Sequence, residues 1–150
     1  MTSSGDRIAE DLRAAIKSGQ RTRLAALRML ATSIRNREVE VRRELSEEEF
    51  LEVVAREVKR RREAAEAYEA AGRTELAERE REEEEALDDY LPAALSEEEL
   101  EALVEEAVAA TGASGPGDMG KVMGHVMGKA RGRVDGSVVS GKVRERLGSG

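Results

Sequence analysis

Three features of the chain predict an all-α protein. Apolar residues recur at three- and four-residue intervals with no alternating run, two Ser-Glu-Glu-Glu helix-start signals are present, and the core vocabulary is almost free of aromatics. A hydrophobic share of 39% against 38% charged suits long helices with narrow apolar faces better than a thick sandwich or barrel. One Phe, two Tyr and no Trp leave Leu, Val, Ile, Met and Ala to build the interior. At 150 residues there is room for one ordinary domain or two small ones.

In chain order, Asp6 to Ser18 places Ile8, Leu12, Ala15 and Ile16 at helical spacing, with Gly19 as the stop. A second helix is expected from about Gln20 to Arg43. Its apolar stripe is Leu24, Leu27, Ala31, Ile34 and Val41, and arginines dominate the remaining surface, among them Arg21, Arg23, Arg28, Arg35, Arg37, Arg42 and Arg43. Ser46-Glu47-Glu48-Glu49 matches a capping box, in which the serine oxygen accepts from the third amide and the glutamate reaches back to the serine amide. The third helix therefore begins near Glu47, with Phe50, Val54, Val58, Ala65 and Tyr68 on its apolar face, the basic knot Lys59-Arg60-Arg61-Arg62 interrupting it and Gly72 ending it. Thr74 offers a cap for a very acidic fourth helix, Glu75 to Tyr90. Between Ala77 and Leu87 only Ala86 is apolar, so this helix is expected to be largely surrounded by solvent. Leu91-Pro92 ends it, because a residue before proline is pushed out of the helical region.

The start signal repeats at Ser96-Glu97-Glu98-Glu99, ahead of Leu100, Leu103, Val104, Ala107 and Val108 at helical spacing, and Thr111-Gly112 closes that helix. Pro116 stands at a first helical position, followed by a helix to about Ala130 in which Gly120, Gly124 and Gly128 fall on one stripe that continues to Gly132. Each interior glycine costs roughly 1 kcal/mol against alanine, so a stripe of them calls for a close backbone neighbour. Gly120 and Gly124 are expected to serve helix packing, and Gly128 and Gly132 to lie near a ligand. Arg131 to Gly136 reads as a turn-rich connector, with Ser137 capping a last helix that carries Val138, Val139, Val143 and Leu147. The composition break at Leu91 to Ser96 divides a long-helix N-terminal domain, 1–92, from a three-helix C-terminal domain, 93–150.

Charge is distributed unevenly. Residues 1–43 hold ten basic and five acidic groups, 63–111 hold three and eighteen, and 112–150 hold seven and three. An anionic partner is therefore attracted to either end and repelled by the middle. The absence of Cys excludes disulfides, thiolate metal sites and Cys nucleophiles. The first residues lack an apolar signal region and no run approaches the length of a membrane span, which reads as a cytoplasmic protein with no membrane partner. No HExxH or GxxxxGKS pattern is present, His125 stands without a Cys, a second His or a Ser-Asp pattern, and the carboxylates come in runs that suit solvated faces. No catalytic residue, metal site or cofactor is expected. Lys121, Lys129, Arg131 and Arg133 combine with Gly124, Gly128 and Gly132 into the strongest candidate site, because cations beside bare backbone approach phosphates closely.

The segments DYLPAALSEEELEALVEEAVAATGAS and DMGKVMGHVMGKARGRVDGSVVSGKVRERL, with the preceding RLAALRMLATSIRNREVEVRREL stretch, resemble the GatB/YqeY family in its stand-alone YqeY-like form. YLP, LSEEE, TGAS, DMGKVM and the GR-V-DG-x-VS connector arrive in the order and spacing of that family. The resemblance implies an all-helical protein whose C-terminal part is similar to the tail of the GatB subunit of tRNA-dependent amidotransferase, a carbon-nitrogen ligase with glutamine as amido donor. That tail contacts misacylated Glu-tRNA or Asp-tRNA while the chemistry occurs elsewhere. Carried over by position, the tail pattern selects Gly124, Met127, Lys129, Gly132 and Arg133, whereas Gly128 stands where GatB tails commonly have a basic or polar residue. The chain has neither the kinase-like domain of GatB, nor a Ser-Ser-Lys amidase apparatus, nor a Cys glutaminase. The expectation is a non-catalytic tRNA-binding or accessory module acting in translation, partnered by tRNA or by a tRNA-modifying or aminoacylation enzyme. The alternative is a helical protein-interaction adaptor without direct RNA contact.

Overall fold

The structure, a computed structural model, describes residues 4–148, which form seven α-helices, one 3-10 turn and no strand. The fold is all-α, as the helical periodicity predicts. The chain divides into two compact units between Leu91 and Pro92. No helix among the described residues is long and apolar enough to cross a membrane.

The first unit contains α1 (Ser4–Ser18), α2 (Arg21–Val41), α3 (Glu47–Ala70) and α4 (Thr74–Asp88). Its core draws Leu27 and Leu30 from α2, Phe50, Val54 and Val58 from α3, and Leu87 from α4. α2 stops at Val41, two residues short of the sequence expectation, because Arg42 adopts a left-handed conformation (φ 59°) and its N–H bonds back to the Glu38 carbonyl. The capping box of α3 forms as read: Ser46 Oγ accepts from the Glu49 N–H at 3.2 Å and the Glu49 carboxylate accepts from the Ser46 N–H at 3.0 Å. Arg43 reaches the same carboxylate at 2.5 Å and, with the serine amide, lowers its pKa to about 2. Tyr90, just beyond α4, fastens α1 to this unit. Its ring meets Phe50 edge-on at 6.3 Å, the Arg7 guanidinium lies 4.5 Å over its face, and its hydroxyl donates to Asp11. Burial and the Asp11 carboxylate both push the Tyr90 hydroxyl above its ordinary pKa.

Two expectations for α4 need correction. Thr74 is its first helical residue rather than its cap; Arg73 takes the cap position with no side-chain bond, and the helix ends at Asp88 rather than Tyr90. Solvent does reach most of the helix, with Glu78, Arg79, Arg81, Glu82 and Glu85 exposed, but one side is covered, where Ala77, Glu83, Ala86 and Leu87 are buried. The basic knot of α3 supplies the missing partners. Arg61, its side chain only 11% exposed, faces Glu57 at 3.2 Å, Glu80 at 3.5 Å and Glu83 at 3.8 Å. Ser33 Oγ donates to Glu57 at 2.7 Å. Arg62 pairs with Glu84 at 2.9 Å, and Arg81 with Glu69 at 2.7 Å. Opposite charges 12 to 22 residues apart in the chain thus meet along the α3–α4 pair.

The second unit packs α5 (Glu97–Thr111), a 3-10 turn (Pro116–Asp118), α6 (Met119–Ala130) and α7 (Gly136–Leu147). Its core is aliphatic: Leu100, Val104 and Ala107 of α5 meet Val122, Val126 and Ala130 of α6 and Val139, Val143 and Leu147 of α7. Ser96 and Glu99 close the second capping box, and Gly112 ends α5 in the left-handed conformation (φ 69°) that glycine adopts without steric cost. The cap of α7 is Asp135, not Ser137: the aspartate accepts from the Ser137 N–H at 2.9 Å.

Candidate nucleic-acid interface

α6 is a three-fold repeat of four residues, Met119-Gly120-Lys121-Val122, Met123-Gly124-His125-Val126 and Met127-Gly128-Lys129-Ala130. Four residues are slightly more than one helical turn, so like residues stack into rows along the helix. The row Val122, Val126 and Ala130 is fully buried in the core. Two residues away, and hence nearly opposite, the row Gly120, Gly124 and Gly128 is exposed. Lys121, His125 and Lys129 run along one edge of the glycine row, and Met119, Met123 and Met127, partly buried against the core, along the other.

The expectation that Gly120 and Gly124 admit a neighbouring helix is overturned. A Cβ placed on Gly120, Gly124 or Gly128 meets no atom within 4 Å. Close packing uses the opposite, valine-alanine side of the helix, and the glycine face looks into open space. Gly132 has a different reason. Arg131 (φ −53°, ψ 126°) and Gly132 (φ 77°) occupy the central positions of a type II turn closed by the Arg133 N–H to the Ala130 carbonyl at 2.8 Å, and the second central position requires positive φ.

The predicted cations do not share one environment. Lys121 is 68% exposed and lies 3.8 Å from Asp118. Lys129 bonds to Glu106 of α5, with His125 Nε2 3.8 Å from the same carboxylate, and Lys129, then His125, lowers the Glu106 pKa. Arg131 is partly buried at the start of the turn. Arg133 is a clamp: its Nε donates to the Ala93 carbonyl at 2.9 Å, its terminal nitrogen reaches Glu99 at 3.3 Å, and its own carbonyl accepts from the Leu95 N–H at 2.9 Å. These bonds tie the connector to the segment that leads into α5. The structure therefore assembles Lys121, Gly124, Gly128 and Lys129 along one side of α6 and assigns Gly132 and Arg133 to holding the connector. Sequence reasoning passed over the methionine row and Glu106; the four-residue repeat was the signal for the first, whereas nothing local pairs Glu106 with Lys129.

In the C-terminal unit these features define a small helical module that turns a glycine-striped, lysine-edged helix to solvent. The chain belongs to the family described as Yqey-like protein, which matches residues 5–147 and so both units. No curated protein sequence matches the chain.

Proposed function

We propose that this is a tRNA-binding accessory protein whose C-terminal unit meets the RNA backbone with the open face of α6. The observation that carries this reading is the exposed row Gly120, Gly124 and Gly128, over which a Cβ meets nothing. Glycine at an exposed helix position costs roughly 1 kcal/mol relative to alanine, and nothing inside the unit offsets that cost. A sugar-phosphate chain approaches a bare helix face more closely than a side-chain-bearing one, and Lys121 and Lys129 edge the row where phosphates would lie. Lys129 is half-exposed, as is Glu106. An exposed pair of this kind is worth at most about 1 kcal/mol, so exchanging carboxylate for phosphate costs little while released counterions favour binding. The choice of tRNA rests on the likeness to the amidotransferase tail, and the role is binding rather than amide transfer.

Anisotropy of labelled bulk tRNA, titrated across salt concentrations, tests this. The affinity is expected to fall steeply with salt, and Lys121→Ala with Lys129→Ala to reduce the log–log slope by about 0.7–0.9 for each phosphate that the variant no longer neutralises. Arg133 is left intact because its loss disturbs the fold. Absent or salt-independent binding refutes the reading. The methionine row favours a second one, a seat for a partner protein's helix, since thioether side chains adapt to varied apolar surfaces. A protein partner retained after nuclease treatment, without tRNA binding, selects that alternative.

A further inference from the structure

The first unit carries a row of cations that its own fold leaves unused. Arg21, Arg28, Arg35 and Arg42 follow one another at seven-residue intervals along α2 and its cap, and all four are exposed. No hydrogen bond or ion pair engages their side chains among the described residues. This contrasts with Arg23, Arg37, Arg43, Arg61 and Arg62, which all have carboxylate partners. Seven residues advance a helix by about 10.5 Å, so the row spans about 32 Å, and it drifts only ~20° per heptad. It lies opposite the side that buries Ala26, Leu30 and Ile34. α2 has no acidic residue before Glu38.

The last member has an independent oddity. Arg42 is the one non-glycine residue at positive φ among those described, at a helix-end position where glycine or asparagine costs less. A guanidinium is thus kept at the end of the row at the expense of backbone comfort.

We propose that this row is a second nucleic-acid surface, which binds the phosphate backbone along α2 independently of α6. Each guanidinium presents a planar fork of donors that fits a phosphate bidentately. The flanking positions decide against an acidic protein helix. Ala25, Thr32 and Asn36 beside the row are small or polar, and Val39, 72% exposed between Arg35 and Arg42, is an isolated apolar residue there, so there is no continuous apolar seam of the kind a helix pair buries. A phosphate chain needs only charge and donors.

The test uses the full chain, with labelled bulk tRNA and a DNA duplex as probes and polyglutamate as competitor. Arg28→Gln with Arg35→Gln is expected to reduce the salt slope by about 0.7–0.9 per arginine, in the wild-type background and equally in the Lys121→Ala, Lys129→Ala background. Arg42→Gly is expected to weaken binding while raising thermal stability, a combination that damage to the fold does not produce. An unchanged slope in the Arg28, Arg35 variant overturns the proposal, even if the α6 lysines prove necessary. So does wild type that binds neither probe, or polyglutamate that competes as well as nucleic acid at equal charge. Loss of binding from the α2 variants alone would uphold this surface and remove the one on α6.

Discussion

Replacing Gly120, Gly124 and Gly128 together by alanine is expected to stabilise the C-terminal unit. All three are helical and exposed, and an added Cβ meets no atom within 4 Å, so the new methyl groups cause no clash. The gain comes from helix propensity and from a less flexible unfolded chain, at about 0.5–1 kcal/mol per site. Gly120 is only the second residue of α6 and contributes least, so the sum is about 2 kcal/mol. At about 1.4 kcal/mol per factor of ten, amides that exchange only by opening of the whole unit should slow roughly thirty-fold. Native-state hydrogen exchange at Val122, Val126, Val139 and Val143, all fully buried, reads this unit directly. Faster exchange in the triple variant would mean that the space over the stripe is filled in the folded protein, and the open-face reasoning would fall.

Other substitutions probe the remaining geometry. Gly132→Ala should cost roughly 1 kcal/mol or more, since it forces a side chain into positive φ in the type II turn; equal thermal stability would contradict the turn. Arg61→Met leaves Glu57, Glu80 and Glu83 without their shared cation and should lower the urea unfolding free energy by about 3–5 kcal/mol. A neutral result would show that solvent reaches these carboxylates. Burial and then Glu80 raise the Glu83 pKa, against Arg61 and Arg79, so the charged form destabilises the folded state. Glu83→Gln should therefore raise stability at neutral pH. The advantage should shrink as pH falls through the raised native pKa toward the ordinary carboxylate value of 4.5, because the native carboxyl takes up its proton first. An advantage that grows on acidification would refute the assignment.

Much of the fold was legible because its signals are local. Ser46-Glu49 and Ser96-Glu99 are contiguous capping boxes, and Gly112 ends a helix by its own conformational freedom, so short windows suffice. The α4 environment was not legible. The cover over its Glu80, Glu83 and Glu84 side comes from Arg61 and Arg62 of another helix, and a charge run looks the same in sequence whether solvent or an opposite charge lies beside it. The cap of α7 went to Asp135 rather than Ser137 because both types cap well and only backbone geometry chooses. At the candidate site, the sequence located the glycine stripe but not its direction. That followed only once Val122, Val126 and Ala130 took the core side. Arg133 looked like Lys129 in composition, yet carbonyl geometry makes it a clamp.

The most direct test adds bulk to the stripe without changing any charge. Gly124→Leu leaves Lys121, Lys129 and the arginine row in place and introduces a side chain into open space on an exposed helix position. Binding of labelled tRNA should weaken at every salt concentration while thermal stability holds or rises. Unchanged affinity at intact stability would contradict the claim that the bare face of α6 is where RNA docks.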